Sequence, residues 1–393
     1  MMHRHMKTIA LTLLLCASVS PCMAAGTSTI PVSETLVAAD RLPKTTVHLG
    51  KVTITPDIVY STLPGYRPML LDVYAPAGKG PRPLILFVHG GSWTMGSKRA
   101  TGHFSDFPGL LAALAKRGYT VASVDYRLSS EAKFPASVQD VKAAIRFLRA
   151  NAGKYGIDKD RVAVWGASAG AHLAAMAAYT GDDPSLEPAE RNNPDQSDKV
   201  QAFVGWYGPY DMPIMFREAM AAAQTPPAPG TPITPEDLAE TTGPLNYFGC
   251  TMEGCPPGML EKASPVTLVD KTDPPTLLIH GTADKTVSSD QSVELYNHLK
   301  ASGVKTDLLL IDNAGHSWTC PNKHATATAS RKAVKATFDW LDKELKKRGD
   351  EERKRTKGTG KKNSRDQSDL KDQKDIRGKK TPAPSQSQTL LNI

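Results

Sequence analysis

Along most of the chain, short and almost uninterrupted apolar runs alternate with stretches of helical period. Leu84-Ile85-Leu86-Phe87-Val88 ends in glycines, and Leu110–Arg117 follows with helical spacing and stops at Gly118. Val121–Val124 is a second apolar run, Val138–Leu148 repeats the helical period, and Val162-Ala163-Val164-Trp165 leads into the alanine-rich stretch Ala169–Tyr179. The pattern resumes at Ala202–Trp206, Thr276–Ile279, a helix from about Val287 to Leu299, Leu308–Ile311 and a last helix from Ala327 to about Leu345. Strands that are apolar on every residue are covered on both faces. Their alternation with helices predicts an α/β fold with a mostly parallel central sheet and helices on both sides. Ahead of this repeat, strand-like alternation starts at Val52 and recurs over Met69–Val73.

Between Met212 and about Pro265 the alternation breaks. Helical spacing over Met215–Ala223 gives way to a proline-rich stretch (Pro226, Pro227, Pro229, Pro232, Pro235) and then to Cys250 and Cys255. An interruption this long in a compact domain is usually functional, and it is expected to form a small cap over one end of the sheet, within a catalytic domain spanning residues 50–347. A polar leader over 25–49 precedes that domain.

Both ends of the chain differ from this body. Arg4, Lys7, the apolar run Ile9–Leu15 and the small residues around Pro21–Ala25 read as a signal peptide over residues 1–24, which implies export to the periplasm or the medium. The run is too short for a good transmembrane span. Beyond Lys347, large apolar residues nearly vanish, so a disordered tail is expected over 348–393. Charge follows the same division. Residues 343–393 hold 16 Lys and Arg against 8 Asp and Glu, which accounts for the whole net charge of +8. The body is therefore neutral, with no specific nucleic-acid partner expected, while the tail is suited to contact with an anionic surface. An exported chain meets an oxidising compartment, so one disulfide is expected. Cys250 and Cys255 flank a short loop that a bridge would close, leaving Cys320 as a thiol. A zinc site lacks a histidine at ligand spacing.

The sharpest chemical signal is Gly166-Ala167-Ser168-Ala169-Gly170, placed between a strand and a helix. A serine forced onto such a tight turn crowds its own backbone, so small residues must stand two positions to either side, and the helix behind it aims N–H groups at developing negative charge. The second signal is His89-Gly90-Gly91-Ser92-Trp93 after the Leu84–Val88 strand, where glycines let backbone N–H groups approach an oxyanion. These segments, together with Leu71-Asp72-Val73-Tyr74-Ala75-Pro76, Asp125-Tyr126-Arg127-Leu128 and Phe134-Pro135, resemble the α/β-hydrolase fold. Within it they resemble the esterase/lipase group with a His-Gly-Gly loop, and most of all the bacterial feruloyl-esterase-like carboxylesterases. The resemblance runs from about Val52 to Leu345. It departs at Ser92, where many relatives carry a third glycine; the backbone N–H survives that change.

A serine nucleophile needs a base, and the base an orienting acid, in the chain order Ser, Asp or Glu, His for this fold. Of the histidines, His316 and His324 follow the last strand; His316, in Asp312-Asn313-Ala314-Gly315-His316, occupies the position the family gives its base. Asp284, after the Thr276–Ile279 strand and Gly281, is the preferred acid, with Asp290 as the alternative and a helix start as its other reading. Ser168, Asp284 and His316 are thus expected to act through an acyl-enzyme, with N–H groups of Gly91, Ser92 and Ala169 as the oxyanion hole and no metal or cofactor. Trp93 and Tyr207, with Tyr210 and Trp318, follow strand ends and are expected to line an aromatic-friendly pocket, packing beneath the cap being the alternative. The resulting expectation is a secreted serine carboxylesterase for short acyl or aryl esters, free or linked to polysaccharide. An amidase or peptidase on the same fold and a silent binding module are the rivals.

Overall fold

The uniformly apolar runs are strands buried on every residue except in the last, Leu308–Ile311, where Leu308, Leu309 and Leu310 are half-buried. The structure, a computed structural model, describes residues 46–347 except 79, 189–190 and 225–233. The signal peptide, most of the leader, the tail and four of the cap prolines thus lie outside the described residues. The strands are β1 Val47–Leu49, β2 Val52–Ser61, β3 Met69–Pro76, β4 Arg82–Val88, β5 Thr120–Val124, β6 Ile157–Ala167, β7 Ala202–Trp206, β8 Thr276–Gly281 and β9 Thr306–Ile311. Among the described residues they form one nine-stranded sheet in the order β1-β2-β3-β5-β4-β6-β7-β8-β9. From β5 to β9 every neighbouring pair is parallel, whereas β1, β2 and β3 add an antiparallel edge.

The main helices are α1 Phe107–Lys116, α2 Ala136–Ala150, α3 Ala169–Tyr179, α4 Met212–Gln224, α5 Pro235–Phe248, α6 Asp290–Ala301 and α7 Lys323–Leu341. Two apolar layers result, one on each face of the sheet. Leu86, Val88, Val164 and Phe203 pack with Val141 and Leu148 of α2, Leu173 and Met176 of α3 and Leu295 and Leu299 of α6. Ile85, Phe87, Trp165 and Trp206 pack on the opposite side with Leu111 and Leu114 of α1 and Phe338 and Leu341 of α7. A largely buried ion cluster ties α2 to the segment before β7: Arg146 Nη1 donates to Glu187 Oε1 and Asp198 Oδ2, each at 2.7 Å.

Two helix boundaries differ from the sequence expectation for identifiable reasons. Helix α6 begins at Asp290 rather than near Val287, because the Val287 N–H is engaged by the Asp284 carboxylate at 3.0 Å. Helix α7 begins at Lys323 rather than Ala327, because the Asn322 side chain accepts from the Ala325 N–H and caps the helix earlier.

The inserted segment after β7 contributes α4 and α5. Helix α5 opens with a reciprocal cap, in which Thr234 Oγ1 accepts from the Asp237 N–H and the Asp237 carboxylate accepts from the Thr234 N–H. Its far end is fastened to the body: Tyr247 stacks on Trp93 with centroids 4.7 Å apart, and Lys133 Nζ donates to the Asn246 carbonyl at 2.8 Å. Cys250 and Cys255 are joined by a disulfide directly after it, and Cys320 is a free thiol.

Candidate active site

Ser168 stands at the end of β6, in the turn into α3, with φ 53° and ψ −128°. A non-glycine residue at that φ is strained by about 1–3 kcal/mol and persists only where its surroundings over-determine it. The surroundings are the two glycines. A Cβ on Gly166 would collide with the Gly170 carbonyl, and a Cβ on Gly170 with the carbonyls of Val88 and His89. The Ser168 N–H is drawn to the Trp206 carbonyl at 2.9 Å, which fixes the turn to the neighbouring strand end. Ala169 is the first residue of α3, a position whose N–H has no acceptor within the helix.

The sheet then brings distant residues together at the carboxyl ends of its parallel strands, the usual place for a ligand in such a sheet. His316, after β9, has Nε2 at 2.9 Å from Ser168 Oγ and Nδ1 at 2.7 Å from Asp284 Oδ2. Asp284, after β8, also accepts from the backbone N–H groups of Thr286 and Val287 at 3.0 Å through Oδ1. Burial would raise its carboxyl, but hydrogen bonds from His280 and His316 outweigh this and hold it well below the ordinary carboxylate range. The acid is therefore ionised and fixes the imidazole with Nδ1 protonated, leaving Nε2 as the acceptor facing the serine hydroxyl.

Asp290 takes no part and stands as the first residue of α6, and His324 lies in the first turn of α7. His280, at the end of β8, also belongs to this cluster: its Nε2 lies 3.3 Å from Asp284 Oδ2 in full burial, with Nδ1 bonded to Ser292 Oγ at 2.7 Å. Gly91 and Ser92 follow β4 with φ of 113° and 51° and line the same cavity as Ser168. His89 Nδ1 holds the Gly90 carbonyl at 2.7 Å, and burial lowers the imidazole to about 4, against the pull of that bond.

The cavity over Ser168 measures about 600 Å³. Tyr207 lines it, its ring 4.7 Å from that of His316. The expectation for Trp93 is corrected. Only 1% of it is exposed, and its indole N–H donates to His172 Nδ1 while its ring lies under Tyr247 of α5. Tyr210 and Trp318 are likewise buried away from the cavity. Its walls mix small apolar residues such as Ala100, Ala239 and Ala283 with polar side chains: Thr101 and His103 after the loop that follows β4, Glu240 on α5, Lys285 and Thr286 beside Asp284, and Ser317 and Thr319 beyond His316. Reading the sequence missed these, because they sit on irregular segments and on a cap helix whose position no periodicity encodes. Among the described residues no group of three or more His, Cys, Asp or Glu is placed to hold a metal ion.

Comparison with known proteins agrees with this geometry. The BD-FAE family model matches residues 71–299, which carry the loop after β4, the turn at Ser168 and Asp284. The chain is similar to the esterase LipQ of Mycobacterium tuberculosis, 31% identical over 300 residues, 75% of this chain and 63% of that protein. It is similar also to the esterase LipC of the same organism, 32% identical over 255 residues, 63% of this chain and 57% of that protein. It thus spans about six tenths of the length of these curated relatives. In structure it is similar to a truncated carbohydrate esterase from gut microbiota, with a TM-score of 0.58, 28% identity, and 77% of this chain and 98% of that one covered. A mostly parallel sheet with helices on both faces, a serine on the strand-to-helix turn and the family match together make the fold that of an α/β-hydrolase, and the chain belongs to the BD-FAE family.

Proposed function

We propose that the protein is an exported serine carboxylesterase that hydrolyses short-chain acyl or aryl esters through an acyl-enzyme on Ser168. The observation that carries the reading is the unbroken chain from Ser168 Oγ through His316 to Asp284, with Ser168 and His316 both lining one cavity. In this mechanism His316 Nε2 takes the Ser168 proton as Oγ attacks the ester carbonyl. The oxyanion is held by N–H groups of Gly91, Ser92 and Ala169. The tetrahedral intermediate then collapses as His316 gives the proton to the leaving alcohol, and water, activated in turn by His316, releases the acid. Each oxyanion donor is worth on the order of 10²–10³ in rate. The similarity to a carbohydrate esterase supports esters on a sugar as the substrate setting, and the hydroxyl and charged side chains among the cavity walls, Thr101, Glu240, Thr286 and Ser317, offer partners to an alcohol that carries hydroxyls.

The direct test is hydrolysis of a p-nitrophenyl ester series by wild type and Ser168→Ala. Fast turnover of the acetate, falling with chain length and abolished in the variant, is expected. Folded wild-type protein no faster than the variant would contradict the reading. Export is supported by the N-terminal residue pattern and by the Cys250–Cys255 bond, of a kind that persists in oxidising compartments. Sequencing the N-terminus of protein recovered outside the cytoplasm should give a new terminus near residue 25; full-length protein retained in the cytoplasm would contradict export.

A further inference from the structure

Helix α5 of the inserted segment contributes Ala239 and Glu240 to the cavity wall. Gly243 rests against the oxyanion loop so closely that a Cβ there would come within 3.1 Å of the Ser92 carbonyl oxygen. Three residues earlier on the same face, Glu240 lines the cavity and Oε2 accepts from the Thr286 hydroxyl at 3.0 Å. Thr286 in turn donates its backbone N–H to Asp284. The Glu240 carboxylate is therefore held in place on the side of the cavity formed by the Asp284 loop and His316. That is the side on which a leaving alcohol receives its proton.

The other charges around the cavity leave Glu240 as its effective negative group. The Asp284 side chain is fully buried behind His316 and does not line the cavity. Lys285 is an exposed side chain, screened by water, and His103 is bonded to Thr319 Oγ1 at 2.8 Å. Glu240 itself is half-buried. Burial raises its carboxyl above the ordinary carboxylate value, and the neighbouring His316 and the Thr286 hydroxyl offset this only in part.

We propose that Glu240 is a specificity-determining residue that reads the alcohol half of the ester, favouring alcohols that carry a hydrogen-bond donor or a positive charge and disfavouring those that carry an anionic group. The inference rests on the esterase reading. A carboxylate several ångströms from a unit charge in such a half-buried site is worth about tenfold in selectivity.

The test uses three acetate esters of similar shape whose alcohols differ in charge: acetylcholine, its neutral isostere 3,3-dimethylbutyl acetate, and 3-acetoxypropane-1-sulfonate. Wild type should show kcat/KM in the order cationic, neutral, anionic. Glu240→Gln, which keeps the size and a hydrogen bond to Thr286, should lower the cationic-to-anionic ratio about tenfold. Glu240→Ala should lower the same ratio whatever it does to the absolute rates. If both variants scale all three esters by one factor, Glu240 only seats α5 and the inference is overturned. If the neutral ester shows no turnover that Ser168→Ala abolishes, the esterase reading itself fails.

Discussion

Asp284 illustrates how a single carboxylate is prepared for its place. Two backbone N–H groups, His316 Nδ1 and the nearby His280 engage its two oxygens, so it stays ionised despite burial. Asp284→Asn would present a donor to the imidazole and favour the wrong tautomer; kcat on a short ester should fall by roughly 10⁴ while the protein stays folded, as steady-state kinetics beside circular dichroism would show. Acid should also unfold this protein through identifiable groups. His172 is buried between the Trp93 indole N–H and the Ala263 carbonyl, and burial lowers it to about 4. In the unfolded chain it takes up its proton near 6.5. The unfolded state therefore binds more protons between about pH 6.5 and 4, and stability falls as pH drops through that window. Asp284, depressed in the fold, adds a loss at still lower pH. His172→Gln should reduce the slope of unfolding free energy against pH by up to ~1.4 kcal/mol per unit in that window; an unchanged slope in urea titrations would show that His172 is not a source of acid sensitivity.

At the scale of elements, what was legible followed from backbone chemistry. Gly166 and Gly170 announce the turn at Ser168, since no other residue fits against the carbonyls they face. Gly170→Val should therefore cost about 1–3 kcal/mol or more through overpacking and backbone shift, and should lower esterase turnover by displacing Ser168; a variant with wild-type melting temperature and rate would contradict this. The uniform apolar runs likewise gave the parallel strands. The antiparallel placement of β1, β2 and β3 was not legible, because alternation reports a half-covered face and not the direction of a partner. Nor was the seat of α5, which depends on Trp93, Tyr247 and Lys133 meeting across long stretches of chain. The same contacts explain why Trp93 serves as a platform for the cap and not as a pocket wall. Just past α5 the disulfide closes a very short loop, so the Cys250→Ser/Cys255→Ser double variant should lose only about 2 kcal/mol, read as a modest drop in melting temperature.

Across the whole molecule, the parallel half of the sheet gathers residues separated by up to 225 positions, from Gly91 to His316, at its carboxyl edge. The glycine motif around Ser168, the resemblance at Asp312–His316 and the chain order Ser, Asp, His together proposed Ser168, Asp284 and His316. The set of side chains that line the cavity depends on how separate loops meet, which no linear pattern records. In sequence, the net positive charge of the chain belongs to residues 343–393. Removing residues 349–393 should accordingly leave ester hydrolysis within about twofold, because the neutral body holds every group of the site; loss of activity on truncation would contradict that division. The central claim is that Ser168 is the activated nucleophile, and it is tested most directly by intact and peptide mass spectrometry after treatment with a fluorophosphonate. The account predicts one adduct per chain, on Ser168, absent in Ser168→Ala and formed far more slowly in His316→Ala; an unlabelled wild type, or a label on another residue, would contradict it.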